Sequence, residues 1–454
     1  NLIVILNDNK MSISKNVGQM ANYLTKLRTD PKYSHVKAHM ETTLERIPVA
    51  GDALVRVLQG GKQLIRRGIY KSTMFEEMGF TYLGPVDGHD ISKLETVIRW
   101  ARELGKPVLV HVVTKKGKGY KYAEEHPEKF HGVGRFDIET GELHDSGDCF
   151  SAKMGESLSR LADNDGRIIG ITAAMSSGTG MDVFSAAHPD RFFDVGIAEG
   201  HAVSMAGGMA KQGMVPVFAV YSSFLQRGYD MLIHDVALQN LHVVFCVDRA
   251  GLVGSDGETH HGVFDVSYLS SVPDMTVLCP ASYAELETML RAAIYDINGS
   301  VAIRYPRGGE GKYTACNTAP ETLLREGRDV TLVCYGIMTN EVLDAAERLA
   351  AEGISAEVIK LSMIKPPDFD LVMRSLRKTG KLLISEDVCE AGCVGSRILE
   401  EAAINEIHVR AAKLLNLGEG IVPHGTVAEL LHDFGLDADG IVSAAMEMMD
   451  KDMK

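Results

Sequence analysis

The chain has 454 residues, 45% hydrophobic and 24% charged, enough for about three domains with a core each. With 47 basic against 61 acidic residues the formal net charge is −14, which argues against nucleic acid or an anionic membrane surface as partner but leaves an anionic small molecule open, since local arginines override a global field. No apolar run reaches the roughly 18 residues of a membrane span, no signal peptide is expected, and seven scattered cysteines form no Cys-x-x-Cys pair. A cytoplasmic α/β protein is expected.

The first stretch, Asn1-Leu-Ile-Val-Ile-Leu-Asn-Asp8, reads as a strand buried on both faces. It is an odd place for a natural start, so the chain is expected to be the carboxyl-terminal majority of something longer. Asn7-Asp-Asn-Lys-Met-Ser-Ile-Ser14 follows. Short polar side chains at a strand's carboxyl end suit either an Asx turn or oxygen ligands for a hard cation. Residues 15–70 read as helices. Phe80–Leu83 is a short strand, and the loop Gly84-Pro-Val-Asp-Gly-His-Asp90 leads into a helix to about Leu104; His89 in that loop reads as structural. Lys106–Val113 is the next strand. It runs into Thr114-Lys-Lys-Gly-Lys-Gly-Tyr120, a Gly-spaced basic loop that is either an anion cradle or a solvated charge cluster. Residues 137–150 are turn-rich and read as a linker.

A second α/β unit then alternates helix 151–162, strand 167–172, a short strand at 192–195, a small-residue helix from Ala198, strand 215–220, a helix from Ser223 to about Gln239, and strand 242–247. Strands alternating with helices at this spacing imply a parallel sheet with right-handed crossovers. Ligands bind at the carboxyl ends of such strands. Three chemistry-bearing stretches fall there: Glu199 in the first turn of its helix, Tyr221-Ser-Ser-Phe-Leu-Gln-Arg227, and Asp248-Arg-Ala-Gly-Leu-Val-Gly-Ser-Asp-Gly-Glu-Thr-His-His-Gly262. Each has a bland reading: a dipole-compatible acid, a core aromatic, a polar loop. Ala302-Ile-Arg-Tyr-Pro-Arg-Gly-Gly309 closes the unit. A third unit has strands at 330–335, 356–361 and 381–385, a helix at 340–352, and a helix-rich tail at 394–450; it reads as a dimerisation or structural domain.

Read together, Asn7-Asp-Asn-Lys-Met-Ser-Ile-Ser14, Asp194-Val-Gly-Ile-Ala-Glu-Gly-His201, Arg249–Gly262 and Ala302-Ile-Arg-Tyr-Pro-Arg-Gly308 resemble the 1-deoxy-D-xylulose-5-phosphate synthase family of transketolase-like thiamine-diphosphate enzymes. Gly200 stands where the family has Gln. The resemblance covers essentially the whole chain and implies three consecutive parallel-sheet α/β domains: 1–140 (part of the diphosphate- and Mg²⁺-binding domain), 150–315 (pyrimidine-binding) and 325–454 (transketolase C-terminal). It implies thiamine diphosphate and Mg²⁺ as cofactors, with Asn9 and Met11 as metal ligands, Ile13 as the wedge that bends the cofactor, and Lys116 (with Lys115 and Lys118 as neighbours) at the diphosphate. Glu199 would activate the cofactor and Phe224 would stack on its pyrimidine. Tyr221, Arg227, Arg249 and Arg307 would line the substrate site, the last two as phosphate arginines, with Asp256 on a substrate hydroxyl and His260 handling protons. His131 matches a family histidine of less certain role.

The implied reaction condenses pyruvate with D-glyceraldehyde 3-phosphate, releases CO2 and forms 1-deoxy-D-xylulose 5-phosphate. The product feeds isoprenoid, thiamine and pyridoxal synthesis, and a cytoplasmic homodimer is expected. The family's Gly-Asp-Gly metal half-motif is absent, so weak cofactor binding by this chain is expected. A transketolase or a 2-oxo-acid dehydrogenase β subunit is the alternative enzyme, though the latter needs no pair of phosphate arginines; an inactive truncated fragment is the non-enzymatic one.

Overall fold

The computed structural model describes residues 2–11, 19–29, 73–143 and 148–452. Ile13 and most of the expected helical region 15–70 lie outside them. The described residues form two compact units, one within 1–144 and one within 145–454.

The first unit is a three-stranded parallel sheet in the order β1 (Ile3–Asp8), β3 (Val108–Val113), β2 (Thr81–Asp87). The helix Ile91–Glu103 lays Val97 and Ala101 on the sheet, against Val108, Val110 and Val112. At its N-terminus Asp90 accepts from Lys93 N–H at 3.0 Å, satisfying one of the donors a helix start leaves open. In the middle of β3, fully buried His111 shares Nε2 with Asp8 Oδ2 at 2.9 Å and Nδ1 with Tyr82 Oη at 2.7 Å, so all three strands are joined by side chains as well as by backbone.

The second unit holds two sheets. The larger runs β13 (Met363–Lys365), β8 (Thr276–Leu278), β9 (Val301–Arg304), β7 (Val244–Asp248), β6 (Val215–Tyr221), β4 (Ile168–Thr172), β5 (Phe192–Asp194). Helices Phe150–Asn164 and Tyr283–Tyr295 bury Phe150, Met154, Leu158, Leu286 and Leu290 on one face. The helix Glu199–Lys211 packs Ala202, Val203 and Ala206 on the other. Cover on both faces is why β6 and β7 read as unbroken apolar runs. The smaller sheet runs β10 (Glu321–Arg325), β12 (Ala356–Leu361), β11 (Val330–Tyr335), β14 (Lys381–Ser385), β15 (Ala411–Leu415).

Three expectations change. The sheets of the second unit are mixed at their edges, because β10 pairs antiparallel with β12 and β13 antiparallel with β8. The helix-rich tail contains a strand, β15, parallel to β14. The single helix from Ser223 to Gln239 is a succession of short α, 3₁₀ and π turns. Gly228 accounts for part of the last difference: a Cβ there would stand 2.9 Å from Val203 Cγ2, so the segment runs closer to the Glu199–Lys211 helix than side chains allow, and irregular turns of this kind recur at functional sites.

The two sheets of this unit share a core, with Val247, Val277 and Cys279 in the same cluster as Val333, Tyr335, Ile359 and Leu361. Buried charges cross the same seam. Lys360 Nζ lies 2.9 Å from Glu285 Oε1, and Arg304 holds Asp265 through Nε at 2.9 Å and Asp387 through Nη2 at 3.0 Å. All seven cysteines are free. Among the described residues no helix is long and apolar enough to cross a membrane.

Candidate active site

In the second unit every site residue expected from the sequence lies at the carboxyl edge of the larger sheet, and their side chains form one continuous group. Glu199 opens its helix with no side-chain cap and is 3% exposed. Its Oε1 meets Arg227 Nη1 at 2.6 Å. The Arg227 guanidinium lies 4.9 Å from the centre of the Phe224 ring, a cation–π distance. Phe224 stacks on Tyr221 with 5.7 Å between ring centres and meets the edge of His260 at 5.1 Å. Below the Tyr221 ring, at 3.8 Å, lies the Arg249 guanidinium. Burial pushes the Tyr221 phenol up to about 12, so it stays a neutral donor.

Arg249 is left-handed at φ 59. A non-glycine residue in that region marks stored strain, and it is held by what surrounds it. Nη1 donates to Gly178 O at 2.6 Å and meets Asp248 Oδ1 at 3.0 Å, while Nε lies 3.5 Å from Asp256 Oδ2. Arg307, from the loop after β9, approaches the other oxygen of the same carboxylate, Nη1 to Asp256 Oδ1 at 3.1 Å. It also donates to Val253 O at 3.0 Å and Ser255 Oγ at 2.7 Å. Two guanidinium groups therefore converge on one anionic point. Beneath them Asp248 is fully buried, and burial pushes its carboxyl up to about 6 against the pull of Arg249. Burial likewise holds His260 below its ordinary value, so its ring is neutral at pH 7.

Gly178, Asp248 and Ser255 belong to this group and were not picked out from the sequence. Ser255 lay inside a recognised loop. Gly178, in Ser176-Ser-Gly-Thr-Gly180, carries no local signal; its requirement comes from close approach, since a Cβ there would sit 1.8 Å from Tyr221 Oη. Gly178→Ala is expected to displace Tyr221 and cost about 1–3 kcal/mol by overpacking, read as a lowered denaturation midpoint.

The first unit places its expected residues at the carboxyl edge of its own sheet. Asn9 Oδ1 accepts from Met11 N–H at 2.9 Å, closing an Asx turn, and Thr114 donates to Asn7 Oδ1 at 2.7 Å. The Asn9 amide oxygen keeps a second lone pair, which together with a backbone carbonyl such as that of Met11 is the kind of donor a hard cation takes. Among the described residues no three His, Cys, Asp or Glu side chains cluster as a metal site. In the loop after β3, Lys115 is engaged by Glu124. Lys116 is half-buried, and burial, with the nearby Lys116 charge, holds the His131 imidazole below its ordinary pKa. His89 Nε2 accepts from Lys115 N–H at 2.8 Å, a structural role.

Residues 1–114 match the 1-deoxy-D-xylulose-5-phosphate synthase domain, 150–309 the transketolase pyrimidine-binding domain and 321–441 the transketolase C-terminal domain. The chain is 45% identical to the 1-deoxy-D-xylulose-5-phosphate synthase of Heliobacterium modesticaldum over 99% of its own length and 71% of that protein's. It is 46% identical to that of Desulforudis audaxviator, over 98% and 71%. A solved split-gene transketolase, an inactive β4 tetramer, superposes with a TM-score of 0.61 at 29% identity, covering 66% of this chain and 98% of its own. Identity at this level over nearly every residue, together with the transketolase-like sheets, shows that the chain belongs to the 1-deoxy-D-xylulose-5-phosphate synthase family of transketolase-type transferases.

Proposed function

We propose that this protein condenses pyruvate with D-glyceraldehyde 3-phosphate, releasing CO2 and forming 1-deoxy-D-xylulose 5-phosphate. The observation that carries the reading is the convergence of Arg249 and Arg307 on Asp256, beside the aromatic pair and the buried Glu199. Thiamine diphosphate, when bound, supplies the nucleophilic carbon and the electron sink that decarboxylation needs. The residues present suit it: Phe224 offers a ring face to a pyrimidine, and Glu199 offers a buried carboxylate to a ring nitrogen. Asn9 and Met11 would hold Mg²⁺, Ile13 would bend the cofactor, and Lys116 would meet its diphosphate.

Arg249 and Arg307 would read the acceptor's phosphate as a two-armed fork. Asp256 keeps the two arginines in register and would accept a substrate hydroxyl. Tyr221 and Arg227 line the same space. His260, neutral and lodged against Phe224, would pass a proton at its ring nitrogen as the new carbon–carbon bond forms. From the family likeness we infer further a cytoplasmic homodimer serving isoprenoid, thiamine and pyridoxal synthesis, divided into domains at 1–140, 150–315 and 325–454.

The test is an assay with pyruvate, D-glyceraldehyde 3-phosphate, thiamine diphosphate and Mg²⁺, reading CO2 and the pentulose phosphate together. Ketol transfer from a pentulose phosphate without use of pyruvate would make the protein a transketolase instead. The pH profile gives a further expectation. Because burial disfavours the charged imidazole, the acid limb of kcat/KM should lie below pH 6.5, the ordinary histidine value. His260→Gln should abolish that limb and lower kcat/KM by about 10²-fold.

A further inference from the structure

His261 plays no part in the chemistry above, yet it is only 4% exposed and holds the residue, Val253, whose carbonyl Arg307 uses. Its two ring nitrogens do different work. Val253 N–H points at Nδ1 from 3.2 Å. A backbone amide can only donate, so Nδ1 is the bare, accepting nitrogen. The proton is then on Nε2, which donates to the carbonyl oxygen of Pro423 at 3.1 Å. One neutral tautomer satisfies both partners. The other tautomer, or the imidazolium, would set an N–H against the Val253 N–H.

Val253 is where this matters. Its amide is held by His261, and its carbonyl oxygen accepts from Arg307 Nη1 at 3.0 Å. The turn that follows starts at Gly254 with φ 65 and presents Ser255 Oγ to the same guanidinium nitrogen at 2.7 Å, then Asp256 at 3.1 Å. Three of Arg307's partners thus lie within four residues, and the first of them is anchored through His261 to Pro423, beyond the smaller sheet. We propose that His261 is a positioning residue for phosphate recognition: it fixes the 253–256 turn, and through it the direction in which Arg307 points. The proposal rests on the reading of Arg307 as a phosphate-binding group.

The probe is sn-glycerol 3-phosphate, an unreactive phosphate ester of the acceptor's size, titrated calorimetrically into the purified protein and into Arg307→Ala, His261→Phe and His261→Gln. Phe keeps the ring volume and loses both hydrogen bonds. Gln keeps one acceptor for Val253 N–H and one donor for the Pro423 carbonyl. Arg307→Ala should weaken binding at least tenfold, the scale of a charge-assisted bond. His261→Phe should weaken it roughly threefold to tenfold, with the circular dichroism spectrum and the pyruvate KM unchanged, and His261→Gln should restore it to within about twofold.

Normal binding in Arg307→Ala overturns the phosphate reading. Weak binding there with normal binding in His261→Phe overturns the positioning role alone, as does a His261→Gln variant no tighter than His261→Phe. If His261→Phe fails to fold, hydrogen exchange on the unaltered protein decides. Saturating glycerol 3-phosphate should slow exchange of the Val253 amide about tenfold, because ligand and His261 act on the same residue; an unchanged rate overturns the coupling.

Discussion

Replacing Glu199 with Gln is expected to lower turnover by about three to four orders of magnitude, the upper range for loss of one positioned proton-handling group, while the protein stays folded. Gln fills the same buried space at the first turn of the Glu199–Lys211 helix. Arg227 loses its charged partner there, but its side chain is 54% exposed and water can replace the lost bond. What cannot be replaced is the negative charge, because a neutral amide does not favour the protonated state of a ring nitrogen as a buried carboxylate does. The measurement is exchange of the C2 proton of added thiamine diphosphate, followed beside the circular dichroism spectrum. Exchange at the unaltered rate in Glu199→Gln would remove this residue from cofactor activation.

The second large effect concerns the acceptor. Arg249→Ala and Arg307→Ala should each lower kcat/KM for D-glyceraldehyde 3-phosphate by one to two orders of magnitude, since charge-assisted hydrogen bonds contribute about 1.5–3 kcal/mol apiece. The KM for pyruvate should change little. Unphosphorylated glyceraldehyde should lose far less than the phosphate ester, because its complex never engaged the missing group. The two substitutions should not be additive, since both arginines lean on Asp256 and removing one frees that carboxylate to pair with the other. Equal losses for both acceptors would mean that these arginines do not read phosphate.

How much of this was legible in advance depended on what kind of signal each residue leaves. Strands β3, β6 and β7 announced themselves as apolar runs because strands covered on both faces need nothing else; β1, expected to be buried on both faces from the same kind of run, leaves Ile5 about half exposed. Glu199, Phe224, Arg249, Asp256, His260 and Arg307 were legible as members of strings, and the fold brings them into one group. The broken helix after Tyr221 was not legible: its departure from regular turns depends on Gly228 meeting Val203 across 25 residues of sequence, and periodicity carries no such information. β15 was lost in a tail whose composition is helical. Gly178 and the role of His261 escaped for a common reason. Each matters through a neighbour, Tyr221 in one case and Val253 in the other, and a string of residues does not record who faces whom.

Strand β13 has a consequence for how the protein comes apart. It belongs by sequence to the last third of the chain, yet it closes the edge of the larger sheet against β8. Glu285 likewise has its cation on β12, and Asp387 answers Arg304 at the end of β9. Cutting the chain between β9 and β10 would therefore leave an open strand edge, part Glu285 from Lys360 and strip Arg304 of one of its two carboxylates. Residues 145–454 should melt in one transition rather than layer by layer, and a ribosome emitting this chain would have to deliver Lys365 before the larger sheet could close its edge.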